Sequence, residues 1–203
     1  MRKVIFVLMI SLLIPLSACG GAERVENGAT ALRLRYQQAQ RCEMEAAVRC
    51  AQYGDIWEAV LRCAYVPDGE SVIEVVSPET IAGAKVILDG GFRFLQTDGK
   101  RLNAGKISAE EISPADALPR LMEALREGWL VEENAEDWNN TPCVRLTVDR
   151  TGNAGGKIFH TLWLRQSDGS PLRGEIAVND ETIMTVEFTS FTFCDIMPEE
   201  AAP

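Results

Sequence analysis

Two adjacent runs of this chain alternate apolar and polar side chains with a period of two, and only Ala51 and "QYGD" lie between them. In "CEMEAAVRC", Met44, Ala46, Val48 and Cys50 fall on one face, with Glu43, Glu45 and Arg49 on the other. In "IWEAVLRCAYV", Trp57, Ala59, Leu61, Cys63 and Tyr65 share a face opposite Glu58 and Arg62. A strand points successive side chains to opposite faces, whereas a helix repeats every ~3.6 residues, so both runs read as strands. The short turn between them makes a hairpin. An isolated hairpin is barely stable in water, so its apolar face demands further strands or a helix.

Further strands are present. "SVIEVVS" follows a "PDGE" turn and ends at Pro78. "AGAKVILDGGFRFLQTDGKRL" reads as two or three short strands, with turns at Asp89-Gly90-Gly91 and Asp98-Gly99. Later come "WLVEE", "CVRLTVD", "KIFHTLWLR", "LRGEIAV" and "TIMTVEFTSFTF", divided by "EDWNN", "RTGNAGG", "SDGSP" and "VND". This spacing predicts a mainly β fold of the α+β class. It is built on one large antiparallel sheet, curled or closed, with no repeat and no domain break.

Two segments change period. Ala29 to Gln40 suits a short helix with Thr30 as cap and a thin apolar face of Leu32, Tyr36 and Ala39. The second has Ser113 as cap, Pro114 at the first helical position and Gly128 as stop. Leu118, Leu121, Met122 and Leu125 form its apolar stripe. Pro119 is awkward inside one continuous helix and suggests a second start after a short first turn.

The chain begins with Arg2 and Lys3, then an apolar run from Val4 to Leu16 broken only by Ser11. The run falls short of the ~20 residues that span a bilayer and fits a secretory leader. Leu16-Ser17-Ala18-Cys19, with Gly20 next, resembles the bacterial lipobox. That resemblance implies a diacylglyceryl, palmitate-type lipid on Cys19, cleavage before it, and anchoring on the extracytoplasmic side of the bacterial cell membrane. Two acyl chains anchor stably where one does not. The expected division is a signal peptide over 1–18, a lipidated cysteine and flexible tether over 19–30, one domain over 31–196 and a frayed tail over 197–203.

Loss of Arg2 and Lys3 with the leader takes the formal charge from -10 to -12. So acidic a domain is repelled by nucleic acid, and no basic patch with interleaved aromatics offsets this. Of six cysteines, five remain beyond Cys19, an odd number that forbids complete internal pairing. Two readings stand. Cys42 and Cys63 share a hairpin face and are the candidate disulfide pair, or all five are free thiols in the core. No pair has C-x-x-C spacing, and no metal or cofactor site is expected.

No catalytic signature stands out. His160, the sole histidine, sits mid-strand and reads as a packed residue with no third group to orient it. "GNAGGK", Gly152 to Lys157, lacks the spacing of a phosphate loop and reads as a hairpin turn. Glu110, Glu111, Glu132, Glu133, Glu136 and Asp137 read as solvated charge in loops and at strand ends, although an acid–base pair among them defines a hydrolase alternative. The aromatic residues of the strands are mostly core, yet a curled sheet under one apolar helix can enclose a ligand cavity. Trp57, Leu61, Tyr65 and Trp163 are the candidate lining.

The order of elements resembles the lipoprotein-carrier superfamily, the half-barrel shared by LolA, LolB and RseB-like proteins. Three stretches carry the likeness: "SVIEVVSPETIAGAKVILDGG", with its strand ending at Ser77-Pro78-Glu79; "LWLRQSDGSPLRGEI", with Trp163, Asp168, Gly169, Pro171 and Leu172; and the closing "MTVEFTSFTF". Residues 29–195 look closest to the GerS-like germination lipoproteins of spore-forming anaerobes. The resemblance implies a half-barrel with a short N-terminal helix and a helical insertion over the concave face. It implies no enzymatic activity. The GerS-like branch implies support of a cell-wall or spore-cortex amidase through protein contact, in sporulation or germination. The carrier branch implies acyl chains, or a lipoprotein, bound in the cavity. An open half-barrel leaves strand edges that can pair between chains, so a strand-exchanged homodimer is a further expectation.

Overall fold

The computed structural model describes residues 28–52, 55–97, 99–107, 112–152 and 156–194. The leader, Cys19, the tether up to residue 27, the tail, and part of the turns at "QYGD" and "GNAGGK" lie outside the described residues.

Eleven strands form one sheet. They are β1 (Arg41–Gln52), β2 (Asp55–Tyr65), β3 (Ser71–Ser77), β4 (Lys85–Asp89), β5 (Phe92–Thr97), β6 (Lys100–Lys106), β7 (Trp129–Trp138), β8 (Thr141–Asp149), β9 (Ile158–Arg165), β10 (Pro171–Val178) and β11 (Glu181–Cys194). The spatial order is β6-β5-β4-β3-β2-β1-β11-β10-β9-β8-β7, so every neighbour except the β1–β11 pair follows in sequence. Every pairing is antiparallel. The β1–β11 pairing joins the first half of the chain to the last. The sheet does not close, and β6 and β7 are its free edges. The expected half-barrel is the observed architecture.

The hairpin read from alternation is present, with Met44 opposite Cys63 and Val48 opposite Ala59. A bulge in β1–β11 lies at Glu45/Ala46. There the Thr189 hydroxyl donates to the Glu45 carbonyl at 3.0 Å, so the bulge leaves that acceptor satisfied.

Two helices lie among the described residues, α1 (Ala29–Gln38) and α2 (Ala117–Glu127). A single 3-10 turn, Pro114–Asp116, leads into α2. Pro119 thus falls in the first turn of α2, where its missing N–H has no intrahelical partner to lose. Leu118, Leu121, Met122 and Leu125 are fully buried against the concave face. α2 packs against β2, β8, β9, β10 and β11. Two close approaches seat it. A Cβ on Gly174 of β10 would stand 2.5 Å from Leu121 Cδ1, and one on Gly128 would stand 2.0 Å from Val148 Cγ1.

α1 lies against α2, each arginine-tied to the other's C-terminal end. Arg33 donates to the carbonyls of Leu125 at 2.8 Å and Gly128 at 2.6 Å. Arg126 donates back to Tyr36 at 2.5 Å, Gln37 at 3.1 Å and Ala39 at 3.3 Å. Tyr36 donates its hydroxyl to Gly169 O at 2.6 Å, and Arg35 donates to Asp168 O. The Arg33 and Arg126 bonds satisfy carbonyls that a helix end leaves orphaned, and the Tyr36 and Arg35 bonds tie α1 to the β9–β10 turn.

Three details differ from the sequence reading. Thr30 does not cap α1, because Gly28 holds that position and no side chain bonds there. β7 runs on through Trp138, so the turn is Asn139-Asn140 alone, both at positive φ, which asparagine tolerates. Glu136 and Asp137 therefore lie within a strand rather than in a turn, and Glu132 and Glu133 lie mid-strand rather than at a strand end.

Candidate functional site

A cleft of about 880 Å³ opens at one end of the half-barrel. The β2–β3 and β4–β5 turns form one wall, and the start of β7 with the β8–β9 connection forms the other. α2 and the turn before it cross between them, the turn presenting Asp116 and the helix Pro119, Arg120, Glu123 and Glu127. The apolar stripe of α2 is spent on the sheet, so its other side can carry charge into the cleft.

Asp116 is buried and held by a fork from Arg93 on β5, whose Nε donates at 3.1 Å and whose terminal nitrogen donates to the other oxygen. Arg120 approaches the same carboxylate at 3.8 Å. Arg150, at the end of β8, pairs with Glu127 at 3.2 Å and Glu123 at 3.6 Å. Three guanidiniums thus face three carboxylates. Burial raises the Glu123 carboxyl pKa, with Arg150 and Arg120 opposing. Burial lowers the Arg120 pKa against the pull of Asp116.

His160 lines the floor at 3% exposure, with neither ring nitrogen hydrogen-bonded. Burial, then Arg120 and Arg150, push its pKa down to about 3, so the imidazole is neutral at pH 7. An unmet buried donor or acceptor costs about 1–3 kcal/mol. At the rim stands Trp129, 78% exposed.

The candidate lining residues do not converge. Leu61 is buried within the core under α2, and Tyr65 borders the cleft. Trp57 lines a separate shallow groove with Cys50, Pro114 and Ala115. Trp163 lies on the outer face, where its indole donates to Glu136 and its ring sits 5.6 Å from that of Trp138. Arg173 covers both rings, 4.7 Å from Trp138 and 5.6 Å from Trp163. None of Cys42, Cys50, Cys63, Cys143 and Cys194 is disulfide-bonded in this structure. Cys42 opposes Tyr65 and Cys63 opposes Met44, so the candidate pair is diagonal rather than directly opposed. Burial pushes the Cys63 thiol pKa far up.

The β7 carboxylates hold the structure together. Glu133 accepts from the Ala29 N–H at 2.7 Å, Glu132 pairs with Arg145 at 3.1 Å, and Glu136 takes Arg145 at 3.4 Å. Glu110 and Glu111 lie outside the described residues. No group of three or more metal-ligating side chains occurs among the described residues. Among them, no helix is long and apolar enough to cross a membrane.

No family model and no curated protein matches the chain. Solved structures do. A putative outer membrane lipoprotein-sorting protein domain from Vibrio parahaemolyticus shares 10% identity over 86% of this chain and 95% of its own, with a TM-score of 0.46. A LolA superfamily protein from Nitrosomonas europaea shares 10% over 84% and 95%, at 0.41. The GerS lipoprotein, in the structure of the CwlD amidase from Clostridioides difficile in complex with it, shares 13% over 76% and 87%, at 0.42. The chain is similar to LolA-superfamily structures.

Proposed function

We propose that this chain is a membrane-anchored, extracytoplasmic binding or scaffold module without enzymatic activity, which supports a cell-wall or spore-cortex amidase by direct contact. One observation carries the choice of scaffold over carrier: the concave face is occupied by the chain's own α2. Leu118, Leu121, Met122 and Leu125 are fully buried where an acyl chain would lie. The remaining cleft is lined by ion pairs, which an acyl chain would desolvate without compensation. The lipobox-like "LSACG" supports the anchor at Cys19. The non-enzymatic reading is supported by the state of the one histidine, buried and held neutral with no partner to orient it. The free edges of β6 and β7 are where a second copy would pair in a strand-exchanged homodimer.

Two measurements test this. Cys19→Ser should move the protein from the membrane fraction to the soluble fraction, and an unchanged distribution refutes the anchor. Native mass spectrometry of protein gently extracted from its own membranes should then find a co-purifying amidase on an otherwise empty domain. A bound mass in the range of an acyl lipid, lost on denaturation, would instead select the carrier reading.

A further inference from the structure

We propose that this chain self-associates head-to-tail, the basic free edge β6 of one copy adding to the acidic free edge β7 of the next. The inference rests on the reading that a second copy meets these edges, and it specifies which edge takes which.

The two edges are opposite in sign. β6 holds Lys100, Arg101 and Lys106 and no carboxylate, in a chain of formal charge -10. β7 holds Glu132, Glu133, Glu136 and Asp137 and no cation. The signs extend to both faces of each strand. Lys100 shares the concave face with Leu102, whose register runs through Leu95 and Val86 to the core residue Ile73. Arg101 lies on the other face, over the Phe94 ring. On β7, Glu133 stands opposite the buried Leu146, and Asp137 shares its face, while Glu132 and Glu136 reach Arg145 on the outer face. Cations of β6 therefore meet carboxylates of β7 whichever way up the second copy docks.

Electrostatics disfavours the other combinations. β6 against β6 brings cations against cations, and β7 against β7 brings carboxylates against carboxylates. Like charges directly opposite across two strands destabilise the pair, and opposite charges stabilise it. Charged side chains commonly guard a free edge against pairing. A guard alone needs no change of sign from one edge to the other, whereas here each edge repels its own kind and suits its opposite. Arg101 is held by Glu70 and Asp89, and Glu132 and Glu136 by Arg145, but these are surface pairs, whose exchange of partners costs little.

Both edges also present apolar surface. Of the seven large apolar side chains exposed among the described residues, Leu95 and Leu102 lie on β5 and β6, and Trp129 and Val131 on β7. Each free edge leaves a row of backbone N–H and C=O groups to water, and an added strand takes them up. Because the two surfaces in contact differ, the association runs head-to-tail.

Charge reversal tests the pairing. The full chain in detergent micelles would be followed by sedimentation equilibrium, with the solvent matched to the density of the detergent, over a concentration series reaching about 1 mM. One variant combines Lys100→Glu with Lys106→Glu, a second combines Glu132→Lys with Asp137→Lys, and a third carries all four changes. These positions are exposed, so the fold is expected to survive, as read by circular dichroism. Either single-edge reversal should weaken self-association about tenfold or more, and the third variant should recover to within about threefold of the unaltered chain. Added salt should weaken the unaltered chain as well. An unaltered chain that stays monomeric throughout overturns this inference and the second-copy reading together. Self-association indifferent to both single-edge reversals leaves that reading standing and overturns this one, as does a folded third variant that remains monomeric.

Discussion

The middle of the sheet and its β5–β6 ribbon are built from the same antiparallel ladder but held by different forces. Along β1 and β2, the concave side chains disappear beneath α2, and the core residues there are almost wholly buried. Every residue of β6 is exposed. Its cross-strand pair Leu95–Leu102 stands in solvent, and beyond the Arg93 fork from β5 to Asp116 its side-chain ties are surface ones, Arg101 and Lys106 among them. Arg101 lies 4.0 Å over the Phe94 ring and pairs with Glu70 at 2.8 Å and Asp89 at 3.1 Å, while Lys106 sits 5.8 Å over Phe92. Apolar burial is insensitive to salt, and exposed ion pairs are worth about 0–1 kcal/mol and weaken with it. One sheet therefore contains a region stabilised cooperatively through its core and a region stabilised locally at its surface.

That contrast can be broken most forcefully at its strong end. Leu121→Ala removes a fully buried side chain from the helix–sheet seam and should cost about 2–5 kcal/mol, read by urea unfolding. A loss below about 1 kcal/mol would mean that α2 is not the keystone of the middle region. Gly128→Ala should cost about 1–3 kcal/mol, because its methyl would overlap Val148 and the Ala124 carbonyl, and the chain must leave α2 by another path.

Acid acts on the same region through His160. Its folded pKa of about 3 lies below the usual 6.5, so the folded state binds fewer protons than the unfolded chain. The contribution is complete above pH 6.5 and is lost as pH falls toward 3. Between pH 7 and pH 5 this amounts to about 2 kcal/mol. His160→Met should flatten that section of the stability profile, and a slope unchanged by the substitution would show that another group titrates there.

The ribbon is sharpened by the smallest change. Arg101→Ala should lower global stability by no more than about 1 kcal/mol while speeding amide exchange in β5 and β6 alone. Added salt should mimic it. Exchange accelerated equally in β1 and β11 would join the two regions into one cooperative unit.

The same division governs what is legible in the sequence. β1 and β2 are legible because one face is buried and the other carries charge, which writes the period directly into the chain. β7 reads too short because an edge strand exposed on most of its length has no such period. Trp163 falls on the outer face rather than in a cavity. Leu162, Trp163 and Leu164 are all buried, and alternation vanishes when both faces are covered. What covers Trp163 is Trp138 and Arg173, partners that come from other strands. The cleft is invisible in the sequence for a similar reason. Arg93, Asp116, Arg150 and His160 come from β5, the turn before α2, the end of β8 and β9, and no spacing in one dimension announces that they meet. The one signal is the solitary histidine in a largely apolar strand, and by itself it points to packing.

The reciprocal arginine ties between α1 and α2 carry a mechanical meaning. α1 is the first described element after residue 27, so a pull on the chain ahead of Gly28 reaches the fold there. Arg33 and Arg126 grip opposite helices, while Tyr36 and Arg35 hold the β9–β10 turn, so the load is spread over several side-chain bonds. The half-barrel behind this buckle is shielded from tension applied at its N-terminus.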